Sequence, residues 1–515
     1  MAINTESPSA ALDRPAPDSV SVAPLESDVV RSVRNAVKLG LSLLGTWAVA
    51  LGVRIFVPRY LGPATFGTFQ FADAFTTTIF VLTGLGVDTY VRKEVATRPQ
   101  HASDFFGGTL LLRVLLSAVV MLVAVISLIA VGKSSEVIRL VIVLGAAQLL
   151  TNVNFTYAAL LHAVGEVDGL AVISVVTKLA WGAGIVVSLL FGGGVMSVAV
   201  TMLASEALRS LGLAVLARRH LALRMVVNVG ASVAVIVASL PYYVAALAQT
   251  VYARIDVSIM SFLTSDIEVG WYGAAGTLAF VSLVLSPLIG WVLLPLTSRA
   301  AARSEEELMF VGRRAMEAIL GAAFPITLLL ALGADLIVPM VFGAPYAPAT
   351  GSLRILAPTF VLTYAAMVAA SMLIRLERGW AVTWVSIVGM FVSATLNLWL
   401  VPRCWAAFGR GGAGIGAATT LIITELLTTA TMLWLLGRRM VDRRLTTVVL
   451  KTLAVCLTVA GLDRLLAAFG LWRLVGDAFL YGVLVVATGA VDVPGTVSFI
   501  REALVRRRVA EGRVP

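Results

Sequence analysis

Charged side chains stand inside stretches of this sequence that are otherwise apolar. Arg113, Lys178, Glu206, Arg209, Arg254, Asp256 and Glu425 lie well within such stretches, and Arg54, Asp73, Asp88 and Arg354 lie nearer their ends. A charge at the centre of a bilayer costs about 2.5–3.5 kcal/mol on insertion scales, so such residues face a partner or a polar cavity. Two positions apart on one helix, Arg254 and Asp256 would point about 200° from each other, so each needs its own partner on another helix or water in a cavity. Lys178 stands about 12 Å into its stretch, close to what a snorkelling lysine spans, and Arg113 has the same two readings. Arg54, near Pro58 and Arg59, either snorkels to an interface or lines a cavity. Glu206 and Arg209 are i,i+3 neighbours, which favours a local ion pair. Glu425 has no nearby cation in sequence. Glu425 and Glu206 are therefore the candidates for carrying a coupling ion, H+ or Na+, since a buried carboxyl can take up and release a proton. If the cations share one cavity, its ligand is anionic, because guanidinium groups hold phosphate through bidentate contacts. On this reasoning Arg254, Lys178, Arg113, Arg54 and Asp256 are the candidate substrate-binding residues.

The elements that position these residues follow from composition. Of 515 residues, 59% are hydrophobic and 13% charged, against roughly 25% charged in an ordinary soluble domain. With a mean hydropathy of +0.95, too little polar surface remains to cover a globule in water. A soluble enzyme, a nucleic-acid binder and a disordered protein are all excluded. Continuous apolar runs recur from about residue 33 to 491, each near the roughly 20 residues that span a bilayer as a helix. The expected fold is an all-α integral membrane protein of about 14 transmembrane helices, the seventh over 236–263 and the ninth over 315–341. Residues 1–30, rich in Ser, Pro and Asp, read as a disordered tail without the apolar core of a signal peptide. Alternate connections, with the two tails, hold 25 Lys and Arg against 6 in the opposite set. Lysine and arginine mark the cytoplasmic side, so both termini are expected there. This placement gives the net charge of +10 a topological role, and nucleic acid is not expected as a partner.

A self-match runs through the chain at a separation of roughly 200 residues. Arg54-Ile55 followed by Phe66-Gly67-Thr68-Phe69 matches Arg254-Ile255 followed by Val269-Gly270-Trp271-Tyr272. Gly169-Leu170-Ala171-Val172 matches Gly379-Trp380-Ala381-Val382, and Ser205-Glu206-Ala207-Leu208 matches Thr424-Glu425-Leu426-Leu427. Arg139 and Arg354 fall at corresponding places. The matches keep a common order. They divide the chain into an N-lobe of six helices (31–224), a C-lobe of six (225–440), two further helices (441–491) and a basic tail (492–515). Six is even, so the lobes are expected to be parallel repeats, a transporter design with the substrate between the lobes.

No enzyme signature emerges. Gly132-Lys133-Ser134 lacks the earlier glycine of a phosphate-binding loop, Ser127 standing in its place. Gly409-x-Gly411-x-x-Gly414 opens an apolar span and reads as close helix packing. His101, His162 and His220 have no metal-ligand spacing, and Cys404 and Cys456 suggest neither a disulfide nor a metal site. Neither a catalytic residue, a metal nor an organic cofactor is expected.

Three stretches carry a family resemblance. They are Tyr60-Leu61-Gly62-Pro63-Ala64-Thr65-Phe66-Gly67 with Gly84-Leu85-Gly86-Val87-Asp88; Tyr252-Ala253-Arg254-Ile255-Asp256-Val257 with Val269-Gly270-Trp271-Tyr272 and Leu294-Pro295; and Phe342-Gly343-Ala344-Pro345-Tyr346-Ala347-Pro348-Ala349 running into Leu353-Arg354-Ile355-Leu356-Ala357-Pro358. Together they resemble the bacterial polysaccharide and O-antigen flippases (Wzx-like) of the multidrug/oligosaccharidyl-lipid/polysaccharide (MOP) exporter superfamily, over about residues 30–490. The resemblance implies a two-lobed bundle of twelve helices plus two in the bacterial inner membrane. It implies translocation of undecaprenyl-pyrophosphate-linked oligosaccharide to the periplasmic leaflet for surface polysaccharide assembly, beside polymerase and ligase partners. A cationic cavity of that kind fits Arg113, Lys178 and Arg254 as anion-facing residues. Two alternatives remain: a cation-coupled multidrug extruder of the same superfamily, expected to centre its site on an acid, and a membrane polysaccharide polymerase, expected to carry a sizeable outer loop.

Overall fold

The computed structural model describes residues 25–86, 102–220, 229–286, 289, 293–437, 439–466 and 469–490; most of the expected N-terminal tail, the basic C-terminal tail and Asp88 lie outside them. The described residues form sixteen α-helices and no strand. In chain order these are α1 (Leu25–Phe80), α2 (Ala102–Ala130), α3 (Ser135–Ala163), α4 (Val167–Leu190), α5 (Val195–His220), α6 (Val229–Tyr252), α7 (Ile255–Leu263) and α8 (Asp266–Ala279). They continue with α9 (Leu294–Arg303), α10 (Glu305–Leu332), α11 (Ala334–Phe342), α12 (Ala349–Arg375), α13 (Gly379–Phe408), α14 (Gly412–Leu436), α15 (Arg443–Leu466) and α16 (Trp472–Thr488). The chain is an all-α membrane protein. Among the described residues, ten helical segments are each long and apolar enough to cross a membrane.

Local chemistry explains where these helices begin and break. The Ser134 side chain accepts a hydrogen bond from the Val137 amide (3.4 Å) ahead of α3. The Ser304 hydroxyl does the same for Glu307 (3.0 Å) ahead of α10. Glu305, Glu306 and Glu307 then fill the first turn of α10, where carboxylates meet the positive end of the helix dipole. The ninth span therefore starts about ten residues before the expected 315. At Gly62 the backbone of α1 takes φ 73° and ψ 167°, a conformation that a side chain disfavours. Pro63 follows, with its fixed φ suited to a first helical turn, so α1 is two helices meeting at a kink. The seventh span is also broken. Ala253 and Arg254 form a turn, and Arg254 precedes α7 with φ −135° and ψ −9°. The 100° periodicity applied to Arg254 and Asp256 does not run through this break.

Packing partners in the first half recur in the second. In the first half α3 and α4 both pack on α5, and α1 packs on α3 and α4; in the second, α12 and α13 both pack on α14, while α8 packs on α12 and α6–α7 on α13. One buried cluster joins the halves, from Val53, Phe66 and Ile185 to Met260, Trp271, Leu353 and Ala417. The last two helices pack on each other and on α10, with Val455, Val459, Tyr481 and Val485 meeting Phe324 and Leu328. Large apolar side chains such as Leu122, Ile129, Phe391 and Trp434 face outward, as lipid-facing residues must.

The bundle has two unlike ends. The basic end carries Arg218, Arg219, Arg303, Arg375, Arg378, Arg439 and Arg443; the far end carries the kink at Gly62, Lys133, Thr264 and Tyr346. The halves are fastened to each other at the far end. Gly67 and Gly270 let α1 and α8 touch backbone to backbone, since a Cβ on Gly67 would overlap the Asp266 carbonyl and one on Gly270 the Pro63 carbonyl. Thr68 Oγ1 donates to Asp266 Oδ2 (3.1 Å), Tyr346 Oη to the Pro58 carbonyl (2.6 Å), and Arg59 to the carbonyls of Met340 and Val341 (3.2 Å each). Lys133 donates to Ser261 O (2.8 Å) and Oγ (3.1 Å), with its ammonium over the rings of Phe71 and Phe262.

Candidate functional site

A cavity of about 540 Å³ lies in the middle of the bundle, walled by α1, α3, α4, α5, α8 and the residues after α8. Its charged lining is Arg54, Asp73, Lys178, Glu206 and Arg209. Lys178 stands about 17 Å from either end of α4, beyond snorkelling reach, and its ammonium lies 4.0 Å from the centre of the Trp181 ring. The pair is set by one turn of helix, i and i+3. Arg54 lies about 12 Å before the kink at Gly62. Its guanidinium is over the Phe280 ring at 4.7 Å. Of its two readings, the structure therefore shows the cavity and not the interface. Each cation faces an aromatic ring, an attraction worth about 0.5–1 kcal/mol at a solvated site.

Arg254 reaches the same region from the other half. Its Nη1 lies 3.5 Å from Asp73 Oδ2, on the second arm of α1. This pair bridges the halves at the cavity wall, and the turn at Ala253–Arg254 is what frees Arg254 to point there. Glu206 pairs with Arg209 at 3.9 Å, as their spacing suggested, and also accepts from Asn154 Nδ2 (2.8 Å). Both acids of the lining thus have cationic partners. With Arg54 and Lys178 added, the site is net positive. Gln148, Thr151, Ser174, Thr177, Ser205 and Thr277 add uncharged donors and acceptors to the wall.

Arg113, Asp256 and Glu425 do not line this cavity. The Arg113 side chain, 1% exposed, donates to the carbonyls of Asn152 (3.0 Å) and Gly84 (2.6 Å) and to Thr156 Oγ1. It ties α2 to α3 and to the end of the α1 segment, which corrects its reading as an anion-facing residue. Asp256 accepts from the Val257 amide (2.8 Å) and from Tyr272 Oη. Glu425, 8% exposed, accepts from Tyr252 Oη (3.0 Å). These carboxyls and tyrosines form a buried polar group in the second half, apart from the cation-lined cavity. Arg354, another of the charges near a span end, pairs with Asp335 at 3.4 Å.

The sequence reading passed over Trp181, Phe280, Gln148 and Thr277 as site residues. The Lys178–Trp181 and Thr277–Phe280 spacings were visible as i,i+3 pairs, one helical face each. Which faces converge depends on packing across helices distant in sequence, and spacing carries no record of that.

A family profile described as "Polysaccharide biosynthesis protein" matches residues 32–301, slightly more than half of the chain. No curated protein sequence matches it. Among solved structures, the lipid II flippase MurJ in an inward closed conformation superposes with a TM-score of 0.69 at 11% identity, covering 87% of this chain and 98% of that one. An inward-facing multidrug resistance MATE family transporter of the MOP superfamily gives 0.58 at 18% identity, covering 76% and 94%. A MOP superfamily transporter from Pyrococcus furiosus, described by the reverse polarity of its binding pocket, gives 0.51 at 18%, covering 79% and 95%. At these identities the likeness is one of fold.

Proposed function

The chain belongs to the polysaccharide biosynthesis protein family, and on that premise we propose that it is a flippase for undecaprenyl-pyrophosphate-linked oligosaccharide. It would move these lipids from the cytoplasmic to the periplasmic leaflet of a bacterial inner membrane by alternating access. The observation that carries this reading is the mid-bundle cavity with Arg54, Lys178 and Arg209 in its wall and Arg254 bridged to Asp73 beside it. A diphosphate is the most charged part of such a lipid and the part a bilayer most strongly rejects. Guanidinium and ammonium groups at mid-depth offset that cost by forming charge-assisted hydrogen bonds away from bulk water. The hydroxyl and amide side chains of the wall suit sugar hydroxyls, and Trp181 and Phe280 supply apolar faces. The polyprenyl tail needs no site in the protein, because it is already at home in the bilayer.

The arginine-rich end is assigned to the cytoplasm. The halves meet at the far end and also on the basic side, where Tyr243 Oη donates to the Leu82 carbonyl (3.3 Å) and Gly86 packs against the Tyr243 backbone. The buried carboxyls at Glu425 and Asp256, with Glu206 in the cavity wall, are the candidates for carrying the driving H+ or Na+. A cation-coupled drug extruder would present an unpaired acid in the cavity, and both acids here are paired.

The test is to delete the gene and measure lipid-linked sugars on each face of the inner membrane. Cytoplasmic-face accumulation is expected, relieved by the wild-type gene and not by Lys178→Ala or Arg254→Ala expressed at wild-type level. An unchanged distribution of these lipids would overturn the flippase reading in favour of an extruder.

A further inference from the structure

A second cavity lies at the basic end, between the last two helices. α15 and α16 run antiparallel from a turn at the far end, and α15 has 24 residues where α16 has 17. At 1.5 Å per residue, α16 stops about 10 Å short of the start of α15. Lys451 confirms this register, its Nζ donating to the carbonyl of Thr488, the final residue of α16 (2.9 Å). Past that point the first two turns of α15 have no neighbour from α16. The space, about 470 Å³, is lined by Arg443, Arg444, Thr447, Val448, Lys451 and Gly489.

Among the described residues its chemistry is one-sided. Arg443, Thr447 and Lys451 recur every four residues and share a face of α15. Arg444 is anchored to Glu317 of α10 (3.2 Å). The Lys451 ammonium carries three N–H donors, one of them on the Thr488 carbonyl. No carboxylate is among the described residues lining the space. Next to it, toward the bilayer centre, both helices turn apolar ribs outward: Leu450, Leu453 and Leu457 on α15, and Phe479, Val483 and Val486 on α16. A cationic pocket opening onto two apolar ribs has the amphiphilic pattern of a phospholipid with an acidic head.

We propose that this space is a binding site for an acidic phospholipid of the leaflet at the basic end, its phosphate held by Arg443, Arg444 and Lys451 and its acyl chains lying along the ribs of α15 and α16. The site is distinct from the mid-bundle cavity and does not rest on the flippase reading. Its position lets a bound lipid fasten the end of α16 to α15, and through Arg444 and Glu317 to α10.

The test uses the full-length protein in nanodiscs or detergent and native mass spectrometry, with dioleoyl phosphatidylglycerol and dioleoyl phosphatidylcholine as probes. One retained phosphatidylglycerol per chain is expected, with phosphatidylcholine held far less. R443Q combined with K451Q is expected to weaken phosphatidylglycerol binding about 30-fold, on the contribution typical of two basic residues at a membrane surface. R443K with K451R is expected to keep it. T447W, which fills the space without removing a charge, is expected to lose it even if the glutamine variant does not fold. Equal retention of both lipids, or unchanged binding in T447W, would overturn the proposal. So would displacement of the lipid by an equal concentration of glycerol 1-phosphate, which would mark a site for soluble phosphate esters.

Discussion

A guanidinium buried in a bilayer keeps its charge and must be met by acceptors, and Arg113 meets the carbonyls of Gly84 and Asn152 and the hydroxyl of Thr156. Removing it takes a charged donor from each, and a buried group left unsatisfied costs about 1–3 kcal/mol. Arg113→Ala is expected to lower the thermal unfolding midpoint in detergent, with lost transport only a consequence. Lys178→Ala is expected to leave that midpoint in place and to abolish transport. The two cations were not separable in the sequence because both are basic side chains at about the same depth in an apolar run. Only their surroundings separate them, carbonyl oxygens in one case and a cavity with the Trp181 face in the other. Glu425 was legible as an acid without a local cation, but its partner Tyr252 lies 173 positions away. If Glu425 carries the coupling proton, Glu425→Gln makes transport in proteoliposomes independent of the pH gradient. Unchanged pH dependence would remove it from that role.

At the scale of the element, the helices follow from apolar run length, from the Ser134 and Ser304 caps, and from Gly62-Pro63. The break in the seventh span was hidden because Tyr252-Ala253-Arg254-Ile255 contains neither glycine nor proline. The ion pair of Arg254 with Asp73 is a tertiary contact, and it accompanies a break that local propensity would not make. The short α11 and the start of α16 are joined in a comparable way. Arg473 donates to Asp335 (2.7 Å) and lies 3.0 Å from Asp463. Burial pushes the Asp335 carboxyl up, but the hydrogen bond and charge of Arg473, with Arg354 nearby, outweigh it and hold the group below its ordinary value. A lowered carboxylate stabilises the fold fully above its unfolded pKa, about 3.9, and loses that contribution as pH falls through the folded value. Acid titration of the purified protein is therefore expected to loosen this joint only below about pH 4. Asp335→Asn is expected to remove that part of the acid response, read as the difference between the two thermal midpoints across pH 3–6.

For the whole molecule, the repeat and the net fold class were legible, since two ordered sets of matches and the apolar runs do not depend on knowing any contact. The contacts between the halves were not. At the far end they are made by small groups: Gly67 against Asp266, Gly270 against Pro63, and Thr68 Oγ1 on Asp266 Oδ2 at 3.1 Å. If the halves rock, this far-end seam must part in every cycle. A Thr68→Cys, Asp266→Cys pair, in a background with Cys404 and Cys456 replaced by serine and alanine, places two thiols across it. Oxidation is expected to join them and stop transport, with reductant restoring turnover. Transport that continues with the bridge in place would mean that the far end does not open, and substrate would then have to leave sideways into the bilayer. Gly270→Ala acts on the same seam in the opposite sense. The added methyl cannot share space with the Pro63 carbonyl, so the closed far end loses stability and the cysteine pair is expected to cross-link more slowly at equal oxidant.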